Sequence, residues 1–316
     1  MDILMKALYL LIFPGLLYCS VAGLLLAGID RKVVARMQKR IGPPLLQPAY
    51  DFFKLLGKET IVPAAAARRT FLAAPVIGLV SLVVTAVLVP VFGFSAFGGV
   101  ADVVVILYLL TIPAVAIIMG GAASGSPYAG VGISREMVTM MAYELPLVIV
   151  LLAVGKAAGD GGVTFSLSKI VEYQQANGPL ITHWTMWPAA LAMLLVIPAE
   201  IGSHPFDVAE AETEICEGAL VEYSGAPLAL FKLSSAIKLY IMTALFSCLF
   251  LSGWGTGIVA VDALILVAVC AVIMLICVSL VRAVCARLKV EILFRFYWRV
   301  VAVLAALSLI LAWLVG

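Results

Sequence analysis

The chain alternates long apolar runs with short polar breaks, and the runs have the length of bilayer crossings. A helix needs about 20 predominantly apolar residues to span the hydrocarbon layer. Runs of that kind cover approximately 3–28, 71–92, 102–122, 136–158, 186–202, 230–252, 259–281 and 297–315. They predict an all-α polytopic membrane protein of about eight transmembrane helices. We read 1–316 as a single membrane domain with polar loops at 29–70, 203–229 and 282–296. The first run reads as a permanent helix, because Asp2 and Lys6 cancel ahead of it and Arg31, Lys32, Arg36, Lys39 and Arg40 follow it, the reverse of a cleaved leader.

Composition agrees with the pattern. The chain is 64% hydrophobic and 12% charged, against roughly 25% charged residues in a soluble domain, so a water-soluble globule is excluded and the lipid bilayer is the expected surrounding. Its net charge of +2 balances 20 bases against 18 acids, which gives nucleic-acid binding no support. The six cysteines form no C-x-x-C pair, and His183 and His204 lie far apart. No metal site is spelled out, and most of the cysteines read as small buried hydrophobes.

The bases set the expected orientation. Loop 29–70 carries nine Lys or Arg residues and segment 282–299 five, whereas the opposite side has only Lys6, Lys156 and Lys169. By the positive-inside rule the basic loops face the cytoplasm and both termini lie outside. Loop 203–229 falls on the same side, yet it has no Lys or Arg and six acids: Asp207, Glu210, Glu212, Glu214, Glu217 and Glu222. From about 206 it has the composition of a helix, on which Asp207, Glu210, Glu214 and Glu217 would share one face. Like charges at that spacing destabilise a helix, so solvent, basic partners or shared protons must offset them. A solvated acidic helix is one reading; carboxylates coupled beside a low-dielectric region, as a proton relay requires, are the other.

Further ionisable groups fall inside the spans: Glu144, Glu200, Lys232 and Lys238. Each is costly in hydrocarbon unless paired or hydrated. Glu136 follows Ser134 and Arg135 at the expected start of the fourth span, where Ser134 would be an N-cap and Glu136 a partner of the helix dipole. Lys232 and Lys238 point in different directions. Pro113, Pro146 and Pro198 interrupt their spans and free backbone carbonyls, either for a hydrated path or merely for a packing kink. Asp102 and Asp262 read as interfacial or capping groups.

Three stretches resemble a known family. Residues 200–225, EIGSHPFDVAEAETEICEGALVEYSG, are similar without a gap to the E-T-N-R-x-P-F-D-L-x-E-x-E segment of the subunit 1 family of respiratory complex I. Residues 36–59, RMQKRIGPPLLQPAYDFFKLLGKE, resemble its R-x-G-P…L-L-Q-P loop, and Arg135 with Tyr143-Glu144 keeps the spacing of its L-R-x…S-Y-E helix. In the complex I pattern a short insertion separates Gly-Pro from Leu-Leu-Gln-Pro; here Gly42-Pro43-Pro44 runs straight into Leu45. Ser203, Glu136 and Glu217 also depart from that pattern. These features are more similar to the large membrane subunit of energy-converting NiFe hydrogenases and formate hydrogenlyase.

The resemblance implies a non-catalytic membrane anchor and coupling subunit of an oxidoreductase complex, with no redox centre of its own. The NiFe centre and 4Fe-4S clusters would lie in partners: hydrogenase large and small subunits, an iron–sulfur subunit and antiporter-like membrane subunits. Arg36, Arg40, Gln47, Lys54, Lys58, Glu59 and Arg135 would serve subunit docking. Glu144, Glu200, Asp207, Glu210, Glu212, Glu214 and Glu222 match family positions of an acidic channel, to which Glu136, Glu217, Lys232 and Lys238 would add. The corresponding subunit of a quinone-reducing or sulfur-reducing complex is the alternative. An independent secondary transporter is the plainest reading of the spans, but no internal repeat between halves supports it.

Overall fold

The computed structural model describes residues 3–91, 94, 102–159, 162–253 and 258–315, without the side chains of residues 3, 4, 212, 213 and 315. Its helices are α1 (Ile3–Leu11), α2 (Leu16–Met37), α3 (Gln47–Leu56), α4 (Arg68–Leu88), α5 (Val103–Ser124), α6 (Pro127–Ala157) and α7 (Leu167–Asn177). They continue with α8 (Trp187–Glu200), α9 (Glu212–Ile215), α10 (Gly225–Phe250), α11 (Val259–Met274), α12 (Leu280–Val284), α13 (Val290–Phe296) and α14 (Ala302–Val315). Among the described residues no strand forms; there are only the isolated bridges Val91–Phe94 and Asp102–Ser166. Among the described residues seven helical stretches are long and apolar enough to cross a bilayer, and Trp184–Glu200 is a shorter apolar one. The fold is therefore the expected all-α polytopic membrane protein.

Helix α10 is the axis of the bundle, buried from Gly225 to Phe250 over nearly all its residues. It packs against α2, α4, α8 and α11, while α6 packs against α5, α8 and α14. Its last carbonyls would be orphaned inside the protein. Gln174 of α7, fully buried, donates to Cys248 O at 2.9 Å and Leu249 O at 3.1 Å and accepts from Ser252 N at 3.1 Å. A second orphan lies in α4: Pro75 has no N–H to offer Phe71 O, and the Tyr223 hydroxyl donates to it at 3.0 Å with the two rings stacked at 4.0 Å. Burial pushes the Tyr223 hydroxyl above its ordinary pKa, so it stays a neutral donor.

Several boundaries differ from those the apolar runs predict. The first run breaks into α1 and α2 around Pro14, and α2 continues past the end of the run to Met37. The extension is stabilised by polar pairs: Asp30 accepts from Ser279 Oγ and from Arg282, each at 2.7 Å, and Arg31 bonds Asp51 at 3.1 Å. Asp30 and Ser279 are both buried. The last span begins at Val290 rather than 297, with Glu291 and Arg295 paired across one turn. Two stretches of wider π turn, Leu275–Ser279 and Tyr297–Val301, lie inside the last two spans. The fourth span begins at Pro127, not 136, because Gly125, at φ +72°, closes α5 and Pro127 opens α6. Ser134 is thus no N-cap: it sits within α6 and its hydroxyl donates to Val131 O at 2.8 Å. Asp102 does cap α5, accepting from Val104 N at 3.0 Å.

The acidic loop departs most from expectation. Residues 201–211 are irregular, α9 is a single turn, and Cys216, Glu217 and Gly218 all have positive φ. No helix runs from 206, and the four acids do not share one helical face. The loop's apolar residues decide this. Phe206, Val208, Ala209, Ala211, Ile215, Ala219 and Leu220 are all buried, a set that a single straight amphipathic face could not bury while carrying four like charges. Gly218 makes the turn possible, since a Cβ there would lie 2.0 Å from Ala209 O.

Candidate functional site: a buried acidic cavity and its cleft

The loops around 29–58, 203–224 and 282–289 converge on one end of the bundle. Arg287, in the loop before α13, grips Asp207 with two hydrogen bonds, Nε to Oδ1 at 3.0 Å and Nη2 to Oδ2 at 2.7 Å. His204 Nδ1 lies 3.4 Å from the same carboxylate, and its Nε2 is 3.2 Å from Cys285 O. At the far end of the loop, Arg135 of α6 bonds Glu214 at 2.6 Å and reaches Val208 O at 3.4 Å. The acidic segment is therefore fastened near both ends to basic residues of other elements.

Behind it lies a small cavity of about 50 Å³, lined by Glu136, Thr139, Glu200, Ser234 and Lys238, and by Asp207 and Glu210 of the loop. Glu200 ends α8, where a negative charge opposes the helix dipole. Lys238 offsets it: its Nζ lies 2.8 Å from Glu200 Oε1, with the two side chains only 9% and 2% exposed. Glu136 is within electrostatic reach of Glu200, Glu210 and Lys238. In front of the loop a wider cleft, about 2010 Å³ including its open mouth, separates α2, α3 and α10. Asp30, Arg31, Lys54, Lys58, Lys232 and Arg282 are among the charges along it, and Leu24, Phe52, Leu239 and Val278 are among its apolar wall residues. Asp207 and Glu210 line both spaces.

The structure thus brings together Glu136, Glu200, Lys238, Asp207 and Glu210. Glu144, two turns further along α6, is half-buried and interacts with Glu200 and Lys238 without lining the cavity. Lys232 opens onto the cleft instead of the cavity, so the two lysines do face different spaces. Glu214 is half-exposed on Arg135, Glu217 and Glu222 are partly buried in the turns that follow, and the Glu212 side chain lies outside the described residues.

Among the docking candidates, Arg36, Arg40, Lys54, Lys58 and Glu59 are exposed. Gln47 is tied to Asp51 at 2.8 Å, and Arg135 is committed to the acidic loop. Sequence reasoning missed Asp30, Asp51, Arg282 and Arg287 as a set. The signal available for Asp30 was an acid placed directly after an apolar run and followed by bases. Among the described residues no three His, Cys, Asp or Glu side chains gather as a metal site.

A polytopic helical protein that holds ion-paired carboxylates between a surface cleft and its interior has the build of an integral membrane subunit with buried functional charges. Its lineage follows from its relatives. Residues 8–313 match the family described as NADH dehydrogenase. The chain is 38% identical over 236 residues to the H-type subunit of NADH-quinone oxidoreductase from Rhodospirillum rubrum, covering 71% of this chain and 67% of that one. It is 36% identical over 228 residues to Hydrogenase-4 component C of Escherichia coli K12, covering 72% and 70%. A chain in the solved structure of an archaeal membrane-bound sulfane sulfur reductase superposes with TM-score 0.89 at 31% identity, over 98% of this chain and 100% of that one. The protein belongs to the NADH dehydrogenase family, of the complex I subunit 1 type.

Proposed function

We propose that this chain is the non-catalytic membrane-anchor and coupling subunit of a membrane-bound NiFe hydrogenase complex. It docks a peripheral redox module at the cleft end and relays changes of protonation through buried carboxylates to ion-pumping, antiporter-like subunits. The observation that carries this reading is the position of Asp207 and Glu210, which line both the cleft and the cavity that holds Glu200 and Lys238. A change of charge at the cleft acts on the cavity through this shared wall, because charges that are partly buried are screened far less than exposed ones.

The docking face has the composition of an interface. Leu46, Tyr50, Phe53 and Leu56 are exposed on or beside α3, next to the exposed Lys54 and Lys58, and an apolar cluster with a charged rim is what a partner covers. The NiFe centre and 4Fe-4S clusters would sit in the hydrogenase large and small subunits and the iron–sulfur subunit. The nine bases of loop 29–70 and the five of segment 282–299 support an orientation with this end in the cytoplasm of a prokaryote and both termini outside. The hydrogenase branch is favoured by the direct run from Gly42-Pro43-Pro44 into Leu45, by the additional acids Glu136 and Glu217, and by the likeness to Hydrogenase-4 component C.

A second reading, the same subunit in a quinone-reducing or sulfur-reducing complex, draws on the apolar wall of the cleft, which suits an amphiphile, and on the likeness to the sulfane sulfur reductase chain. Affinity purification of the chain from its native membrane, with subunit identification and metal analysis, separates the two. Nickel together with a hydrogenase large subunit is expected. Iron without nickel would favour the second reading, and a chain that purifies alone and metal-free would overturn both.

A further inference from the structure

The cavity holds more carboxyls than bases. Glu136 of α6, Glu200 of α8 and Asp207 and Glu210 of the acidic loop line it, with one ammonium, Lys238 of α10. Lys238 lies 2.8 Å from Glu200, and both side chains are more than nine-tenths buried. That pair is neutral as a unit. No ion pair among the described residues reaches Glu136, so a second negative charge there would be uncompensated in an enclosed space, which is costly. The neighbouring charges do not relieve it. Arg135, one residue earlier, pairs with Glu214, Arg287 pairs with Asp207, and Lys232 opens onto the cleft. Glu144, Tyr143 and Tyr297, which also face this region, add no positive charge.

An independent observation points to water in the same space. Ser234 lines the cavity, is 5% exposed, and its hydroxyl has no hydrogen-bond partner. Buried polar groups are otherwise almost always satisfied, and a polar cavity of this kind is where an ordered water belongs. Thr139 gives its own hydroxyl to Arg135 O at 2.9 Å, which leaves Ser234 to hold that water.

We infer that Glu136, Ser234 and the Glu200–Lys238 pair form a one-proton storage site, in which Lys238 holds Glu200 ionised and Glu136 is the carboxyl that takes up and returns a single proton by way of water at Ser234. The proton comes from water in the cleft, past Glu210. An O–H bond of a hydronium breaks as one forms on a Glu136 oxygen, and the reverse returns it. Lys238 is a positioning residue: it fixes which of the two carboxyls exchanges. This assignment rests on the relay reading for its purpose, but its test is independent of pumping.

The test is infrared pH-difference spectroscopy of the purified complex in ordinary and heavy water. An enclosed carboxylic acid gives a C=O stretching band that shifts on deuteration. The site predicts that this band is lost in Glu136→Gln, moved but retained in Glu136→Asp, and unaffected in Glu144→Gln. Lys238→Met should add a second band from Glu200. A wild-type complex without the band, an unchanged band in Glu136→Gln, or no new band in Lys238→Met would each overturn the assignment. Loss of the band in Glu136→Gln with ion pumping intact would instead leave the storage site standing and remove it from the relay.

Discussion

Lys238 and Glu200 meet at 2.8 Å between the middle of α10 and the end of α8, with almost no solvent at either side chain. A buried pair of this kind contributes little over an apolar substitute, yet breaking it is expensive, because one charge is left alone. Lys238→Ala should therefore lower stability by about 3–5 kcal/mol, and Lys238→Met combined with Glu200→Gln should recover a large part of that loss. Thermal unfolding of the detergent-purified complex checks both, and equal loss in the single and double variants would refute the pairing.

Arg287→Ala removes the two-pronged hold on Asp207. Hydrogen bonds to charged groups contribute about 1.5–3 kcal/mol each at most, and here they fasten a loop with little regular structure. The variant should keep the helices intact while amide hydrogen exchange rises across 203–211. Exchange unchanged in that segment would mean that burial of Phe206 and Val208 holds the loop by itself.

Much of this architecture was legible beforehand because the bilayer imposes a simple rule. Every spanning helix must be long and apolar, so the runs announced the crossings, and the basic loops marked one end of the bundle. Glu144, Glu200 and Lys238 stood out because a charge in an apolar run demands a partner, whereas Glu136, at the expected start of a span, suited a helix-dipole role. The acidic loop was misread because periodicity weighs composition and spacing but not what the apolar residues between the acids must bury. Val208, Ala209 and Ala211 go into the bundle, and this tertiary demand overrides helix propensity. Asp30 and Arg287 were missed for a related reason: their partners are about 250 and 80 residues away in the chain, and no local pattern encodes such a pairing. Helices α3 and α7 were absorbed into loops because each is too short to register as a span.

Gly132→Ala tests how closely the acidic loop is seated on α6. A Cβ at that position would lie 2.5 Å from Ala219 N and 2.8 Å from Gly218 C, both backbone atoms that cannot rotate away. Overpacking of this kind costs about 1–3 kcal/mol, and it should push the 218–220 turn off the helix. A lowered midpoint of thermal unfolding, with faster proteolysis in 203–224, is the expected result.

Gln174→Ala addresses the opposite end of the bundle. It leaves the carbonyls of Cys248 and Leu249 buried without their donor, at a cost of about 1–3 kcal/mol. Because the residue is remote from the acidic cavity, the surviving complex should translocate ions per turnover as the wild type does. A stability loss with normal coupling separates packing from relay.

The most direct test of the coupling role is Glu210→Gln, which removes a carboxylate from the loop that lines both the cleft and the cavity while leaving Arg287–Asp207 and Lys238–Glu200 in place. The complex is reconstituted into sealed vesicles, and ion translocation is measured alongside dye-linked redox activity of the peripheral subunits. The account predicts that translocation per electron falls several-fold while dye-linked activity is unchanged. Translocation equal to wild type at equal redox turnover would contradict it.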